Sequence, residues 1–267
     1  MLVDALLKDK GMKLINERIE AWFNIHQKPD YDGGDFYAGS ITSLLLDNKE
    51  FLDPVNAPIP DRYMFHDREK RCMQIDKVQL YDSKNNLKLG DSIDLFNQSY
   101  KYKNNVSNSN KISVTLQSCQ LPYNNNIFRL ERTISLHSNS DYIIDDIALV
   151  NENGSNENLP NFILSYYSHI HSKFAPLKLD IPSQLQNSFI MSNKDVYPVV
   201  SYGFISNIAI EKYPVEQSNS FLWELSPCQK IRSVHSFMRD SSTLVNMERI
   251  SEKLFPQQEL KTLSEGE

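Results

Sequence analysis

The sequence has little glycine, few cysteines and no long hydrophobic run. Its 267 residues include 8 glycines and 3 cysteines, and Cys72, Cys119 and Cys228 are far apart without CxxC spacing. Such a set does not build a disulfide framework or a thiolate zinc site, and it is typical of reduced thiols in the cytoplasm. Because no eighteen apolar residues run together, we predict no membrane-spanning helix.

Positive charge is also scarce. Lysine and arginine number 28 against 34 acidic residues, which gives a formal net charge of -6. The one basic run, residues 68–71, is short and contains Glu69. A nucleic-acid partner requires a concentrated basic surface, so we exclude one. At the N-terminus, Asp4 precedes the first basic residue and the apolar stretch is too short for a secretion signal, which indicates a cytoplasmic location.

Glycine is scarce in the chain, whereas asparagine is abundant, notably in the segments 104–110 and 151–161. Asparagine tolerates the left-handed backbone conformation better than most residues. We therefore expect asparagine to occupy turn positions that glycine takes in other proteins.

Strand patterns dominate most of the chain. Apolar and polar residues alternate in the segments 112–117 and 128–136, and segment 142–150 is more continuously apolar, as in a strand covered on both faces. Turn clusters separate these segments without intervening helices. The sequence thus predicts an all-β fold, a large antiparallel β-sandwich, in a single domain covering residues 1–267.

Only the first twenty or so residues have apolar residues at helical spacing, and Gly11 interrupts them. We predict a short N-terminal helix in a lead-in segment, residues 1–25. The segment 35–54 predicts a β-hairpin, with its turn at Asp47 and Asn48.

Three groups of residues are candidates for chemistry. His66 and Arg68 are two apart, so on a strand both would face the same side and could donate hydrogen bonds to hydroxyl groups. His169 and His171 have the same spacing. Two such histidines can ligate a metal, but no third ligand is near in sequence, so we predict no metal and favour proton transfer.

Glu224 is the third candidate. It lies between Trp223 and Leu225 and just before Pro227. A carboxylate in an apolar strand must be paired, be solvated in a cleft or have a raised pKa, which is how a general base is often made. An ordinary edge strand with an outward-facing glutamate would have the same sequence.

In this order, the segments resemble the galactose-mutarotase-like superfamily, and most closely an uncharacterised aldose-epimerase-like branch of the aldose 1-epimerase family. The similar segments are residues 38–44 with 49–54, His66-Asp67-Arg68, residues 168–171 with 176–180, residues 223–227 and residues 263–267. The resemblance covers the chain from about residue 35 to its end. Asp67, Ser168 and His171 replace the family's glycine, tyrosine and asparagine.

The resemblance implies a sandwich that binds a free sugar and exchanges its anomers without a metal or other cofactor. Glu224 would be the catalytic base and His169 the acid, with their groups 5–8 Å apart across one sugar ring. The substrate-binding residues would be His66, Arg68, His171 and Asp180. The alternatives are a non-catalytic sugar-binding or sensor protein and an accessory domain of a lyase or glycoside hydrolase.

Overall fold

The structure is a computed structural model. It describes residues 4–8, 11–25, 39–51, 73–82, 84–85, 87–88, 91–95, 99–123, 126–153, 161–167, 178–193, 200–211, 213, 220–226, 229–240 and 242–256. The predicted site residues His66, Arg68, His169 and His171 lie outside these ranges.

Three antiparallel sheets make up the described chain. The N-terminal sheet contains, in spatial order, β1 (Asp4–Lys8), β2 (Gly11–Ile15), β3 (Ile19–Asn24), β4 (Ile41–Leu46) and β5 (Lys49–Glu50). The small sheet contains β6 (Gln74–Asp82), β7 (Leu87–Lys88), β8 (Ile93–Asp94), β14 (Asn161–Tyr167) and β18 (Ser220–Leu225). Its strand order is β18-β14-β6-β7, with β8 also paired to β6.

The large sheet contains nine described strands. They are β9 (Lys101–Ser107), β10 (Lys111–Gln117), β11 (Leu121–Tyr123), β12 (Asn126–His137), β13 (Tyr142–Asn151), β15 (Lys178–Asp180), β16 (Ser188–Asn193), β17 (Val200–Ser206) and β19 (Lys230–Met238). Their order is β15-β16-β17-β19-β13-β12-β10-β9, with β11 paired to β12. The prediction of an all-β antiparallel sandwich is confirmed.

The main core lies between the small and large sheets. Tyr166 and Phe221 of the small sheet pack against Phe204 of the large sheet, with ring centroids 6.5 Å and 4.7 Å apart. The N-terminal sheet joins the same core, since Phe51 packs edge-on against Phe237 at 5.3 Å. Aromatic pairs of this kind stabilise a core beyond the area that they bury.

The prediction of an N-terminal helix is wrong. The lead-in residues form β1, β2 and β3, and the burial of β2 alternates strictly, with Met12 and Leu14 facing the core. Gly11 permits this pairing, because a Cβ atom there would lie 2.8 Å from the Phe23 carbonyl oxygen. The one described helix, α1 (Thr243–Leu254), is near the C-terminus instead.

Asparagine occupies three left-handed turn positions, as predicted, but Asn104 and Asn105 of the segment 104–110 lie in strand β9 instead. Asn48, Asn139 and Asn187 have positive φ angles of 62°, 56° and 55°. Asp47 precedes Asn48 with φ 52°, and these two residues form the turn between β4 and β5, so the predicted hairpin is confirmed.

Helix α1 packs on the outer face of the large sheet. Met247 and Ile250 lie in a second core cluster with Ile144, Ile205 and Val234. The helix covers the N-terminal part of β13, so the prediction that this strand is covered on both faces is confirmed there. Val150, near the other end of β13, is exposed. Within the described residues, no helix combines the length and apolar composition needed to cross a bilayer.

Candidate functional site

Glu224 lies on the outer face of the small sheet. Its neighbours Trp223 and Leu225 are buried in the core, so the alternation of β18 directs Glu224 to the other side. The side chain is half-buried, and its Oε1 accepts a hydrogen bond of 2.7 Å from Nδ2 of Asn161 on β14. The strand forms one edge of the described small sheet.

Polar side chains continue across this face. Ile163 separates Glu224 from Gln79, because the register places Ile163 opposite both residues. Gln79 is only 9% exposed although it faces outward. Asn161 stands opposite Tyr81 of β6. The face therefore combines a carboxylate, two amides and a phenol beside the apolar side chains of Ile163 and Leu222, and the Gln79 amide donates to the Leu80 carbonyl oxygen. Such a mixture of polar and apolar groups suits a ligand with several hydroxyl groups.

Strand β14 ends at Tyr167, two residues before His169 in the sequence. Tyr167 pairs with Ser220, whereas Glu224 pairs with Ile163, four positions away along β14. At the usual rise per residue of a strand, the backbones of Tyr167 and Ile163 are about 13 Å apart. Because His169 lies outside the described residues, its convergence with Glu224 stays a prediction.

Asp180, the other described candidate, lies in β15 and is exposed. This strand is an end strand of the described large sheet, whereas Glu224 belongs to the small sheet. The two residues thus share no sheet.

Among the described residues, no three histidine, cysteine or acidic side chains are grouped so that they could hold a metal ion.

A buried polar cluster between the sheets was missed by sequence reasoning. Arg132 and Asp145 face inward from β12 and β13, and both side chains are completely buried. Nε of Arg132 donates to both carboxylate oxygens of Asp145, at 3.0 and 2.8 Å, and the hydroxyl of Tyr166 donates to Oδ2 at 3.0 Å. The guanidinium group also donates to the carbonyl oxygens of Gly39 and Met73.

His235 of β19 extends this buried cluster. Its Nδ1 lies 2.6 Å from the hydroxyl of Tyr202, and its Nε2 lies 3.1 Å from that of Ser233 and 3.3 Å from that of Tyr166. The hydrogen-bonding groups of the imidazole are therefore satisfied within the core. The cluster joins side chains of β12, β13, β14, β17 and β19.

Burial and charge set the protonation of this cluster. Burial lowers the pKa of Arg132, but the charge of Asp145 outweighs it and the pKa lies above its ordinary value. Burial raises the pKa of Asp145, and Arg132 partly offsets that rise. The pKa of His235 is well below its ordinary value because of burial first and the charge of Arg132 second. His235 is thus neutral at physiological pH.

We expect His235 to make folding sensitive to acid. The folded state binds fewer protons at His235 than the unfolded chain does, so the stabilisation is complete above about pH 6.5. It declines by about 1.4 kcal/mol per pH unit as the pH falls from there towards the folded-state pKa. Urea unfolding of the wild type and of His235→Gln at several pH values measures this difference.

The difference between the two proteins isolates the effect of His235. Asp145, whose pKa is raised, changes the stability in the opposite direction on acidification, but it does so in both proteins. The wild type should lose more stability than His235→Gln on acidification below pH 6.5. Parallel pH profiles for the two proteins would contradict the expectation.

Comparisons with known proteins do not assign the chain to a family. No family model and no curated protein matches the sequence. Among solved structures, the chain has a match to an alpha-N-acetylgalactosaminidase from Bifidobacterium bifidum, with 9% identity and a TM-score of 0.47 over 94% of this chain and 39% of that one. A 4-alpha-glucanotransferase from Thermococcus litoralis has 13% identity and a TM-score of 0.40 over 89% of this chain and 39% of that one.

A YidC insertase has 9% identity and a TM-score of 0.42 over 96% of this chain and 44% of that one. The chain thus spans 39% to 44% of the length of these three structures. With TM-scores below 0.5, the similarity carries no argument about what this chain does.

Proposed function

We propose that this chain binds a free sugar on the outer face of the small sheet and exchanges its anomers, as an aldose 1-epimerase does. One observation carries the proposal: Glu224 presents a half-buried carboxylate on that face, oriented by the amide of Asn161 at 2.7 Å. The sequence resemblance gives this same glutamate the role of base.

The reaction requires one base and one acid. Glu224 takes the proton from the anomeric hydroxyl while an acid, His169 in the proposal, protonates the ring oxygen and opens the ring. Reversing both transfers after the carbonyl group has turned closes the other anomer. Asn161 is suited to binding a hydroxyl group beside Glu224, and the resemblance adds His66, Arg68, His171 and Asp180.

We expect the wild-type chain to accelerate anomer exchange of at least one free hexose above the buffer rate. NMR exchange spectroscopy on a panel that includes glucose, galactose and mannose measures this directly. A chelator in the assay should leave the rate unchanged, since proton transfer from a hydroxyl group needs no metal. A buffer rate for every sugar, with no sugar bound, would contradict the proposal.

Binding without exchange is the second candidate function. It is favoured by the departures from the family motifs, since Asp67, Ser168 and His171 replace the family's glycine, tyrosine and asparagine. In the NMR experiment, saturable binding of a sugar with exchange at the buffer rate supports this non-catalytic alternative.

A further inference from the structure

A groove of about 460 Å³ lies on the outer face of the large sheet, beside the C-terminal end of α1. Strands β12, β13 and β19 form its floor, and Leu254 and Phe255 border it. The volume falls within the range of roughly 300–1,000 Å³ that small-molecule sites occupy.

Ala148 makes the depression in this face. The register places Glu131 opposite Ala148 on one side and Lys230 opposite it on the other. Two strand spacings separate Glu131 from Lys230, roughly 10 Å between their backbones. Because the methyl group of Ala148 is small, the longer side chains of Glu131 and Lys230 stand as walls on either side of it.

The Glu131 wall presents an acceptor. Lys103 Nζ and Gln117 Nε2 donate to its Oε1, at 2.5 and 2.7 Å. Partial burial raises the pKa of Glu131, but these two hydrogen bonds and the charge of Lys230 outweigh it, so the net pKa is lowered and the group is ionised. In the described part of the chain, no donor binds its Oε2.

The opposite wall presents donors. Arg232 binds Asp146 through Nε at 2.7 Å and Nη2 at 2.8 Å, which leaves Nη1 directed away from that pair. The exposed ammonium group of Lys230 forms no ion pair with any carboxylate among the described residues. The groove lining therefore has two acidic and two basic side chains, and its formal charges cancel.

We propose that this groove binds one unit of a neutral saccharide above Ala148. A hydroxyl group both donates and accepts, so a sugar ring can donate to Glu131 Oε2 on one side and accept from Lys230 and Arg232 on the other. The apolar side chains of Val150 and Leu254 offer surface to its C–H groups. An anionic ligand would be repelled by Glu131 and a cationic ligand by Lys230 and Arg232, whereas a neutral ligand can form hydrogen bonds with both sides.

This groove is separate from the face that carries Glu224. Tyr166 of the small sheet and Asp145 of the large sheet meet in the core, at 3.0 Å between the hydroxyl and Oδ2. Glu224 faces away from that core on one side, and Ala148 faces away from it on the other. Both sheets therefore lie between the two sites, and each can be tested without the other.

Two-dimensional amide NMR with glucose, galactose, maltose and lactose as probes tests the groove. We expect a sugar in this panel to shift the amide signals of Ala148 and Lys230 saturably, with weak, millimolar affinity, because the groove is open. Ala148→Tyr fills the depression and should weaken binding at least tenfold. Tyrosine suits an outward strand position, so this variant should fold. Ala148→Ser keeps the depression and is the matched control.

The outcomes separate the groove from the proposed function. Shifts at Ala148 that Ala148→Tyr abolishes and Ala148→Ser preserves support the groove site, whatever happens at Gln79 and Asn161. If every sugar leaves the groove signals unmoved, or if Ala148→Tyr binds as the wild type does, the groove proposal is overturned. Shifts confined to Gln79 and Asn161 would overturn it while supporting sugar binding beside Glu224.

Discussion

Replacing Asp145 by asparagine should lower the free energy of unfolding by about 3–5 kcal/mol. The change removes the negative charge from a completely buried pair and leaves the guanidinium of Arg132 without a counter-ion in the core. An uncompensated buried charge is among the most destabilising defects known in proteins. Urea unfolding followed by circular dichroism measures the loss, and a failure to fold would be its limiting case.

The adjacent residue provides a matched control. Asp146 also pairs with an arginine, but the side chain of Arg232 is 45% exposed and that of Asp146 is 25% exposed. Such surface pairs contribute at most about 1 kcal/mol. Asp146→Asn should therefore be nearly neutral. Equal losses for the two variants would show that burial of the Arg132–Asp145 pair does not govern its energy.

Replacing Glu224 by glutamine should slow anomer exchange by about 10²–10⁴-fold if this residue is the general base. Glutamine has nearly the same shape and can keep a hydrogen bond with Asn161, but it cannot take a proton. Sugar affinity should change little, because the hydroxyl-binding groups remain. NMR exchange spectroscopy gives the rate, and titration of the same samples gives the affinity.

Glu252→Gln is the control for this experiment. Glu252 is exposed on α1, the helix that packs on the large sheet, whereas Glu224 belongs to the small sheet. It should exchange anomers at the wild-type rate. If Glu224→Gln also retains the wild-type rate, Glu224 is not the base. A loss of both rate and affinity would instead indicate that Glu224 binds the sugar.

Local sequence patterns predicted β10, β12, β13 and the hairpin of β4 and β5 with its turn. Alternation over 112–117 becomes β10, and Asp47 and Asn48 form the expected hairpin turn. The N-terminal residues show why the other strands could not be predicted from local sequence patterns. Apolar residues such as Met12 and Leu14 fit a helix as well as a strand by spacing, and pairing of β2 with β3 decides between the two.

The sequence contains one signal for the buried cluster. Arg132 interrupts an otherwise apolar inward series between Leu130 and Ile134, so alternation alone places it in the core. Its partners could not be named from sequence, because Tyr166 and His235 reach it from strands distant in the chain. For the candidate site, sequence placed Glu224 on a strand but gave no indication that Asn161 holds it.

Strand β9 has a consequence for how the protein avoids self-association. All of its residues are exposed, and among the described strands it pairs with β10 alone, so its far side offers unpaired backbone groups to another chain. Lys103 is the extra residue where the register with β10 shifts, and its ammonium group binds Glu131. A bulge and charged lysines on an edge strand disfavour pairing between copies, so this edge is protected against aggregation by its own irregularity.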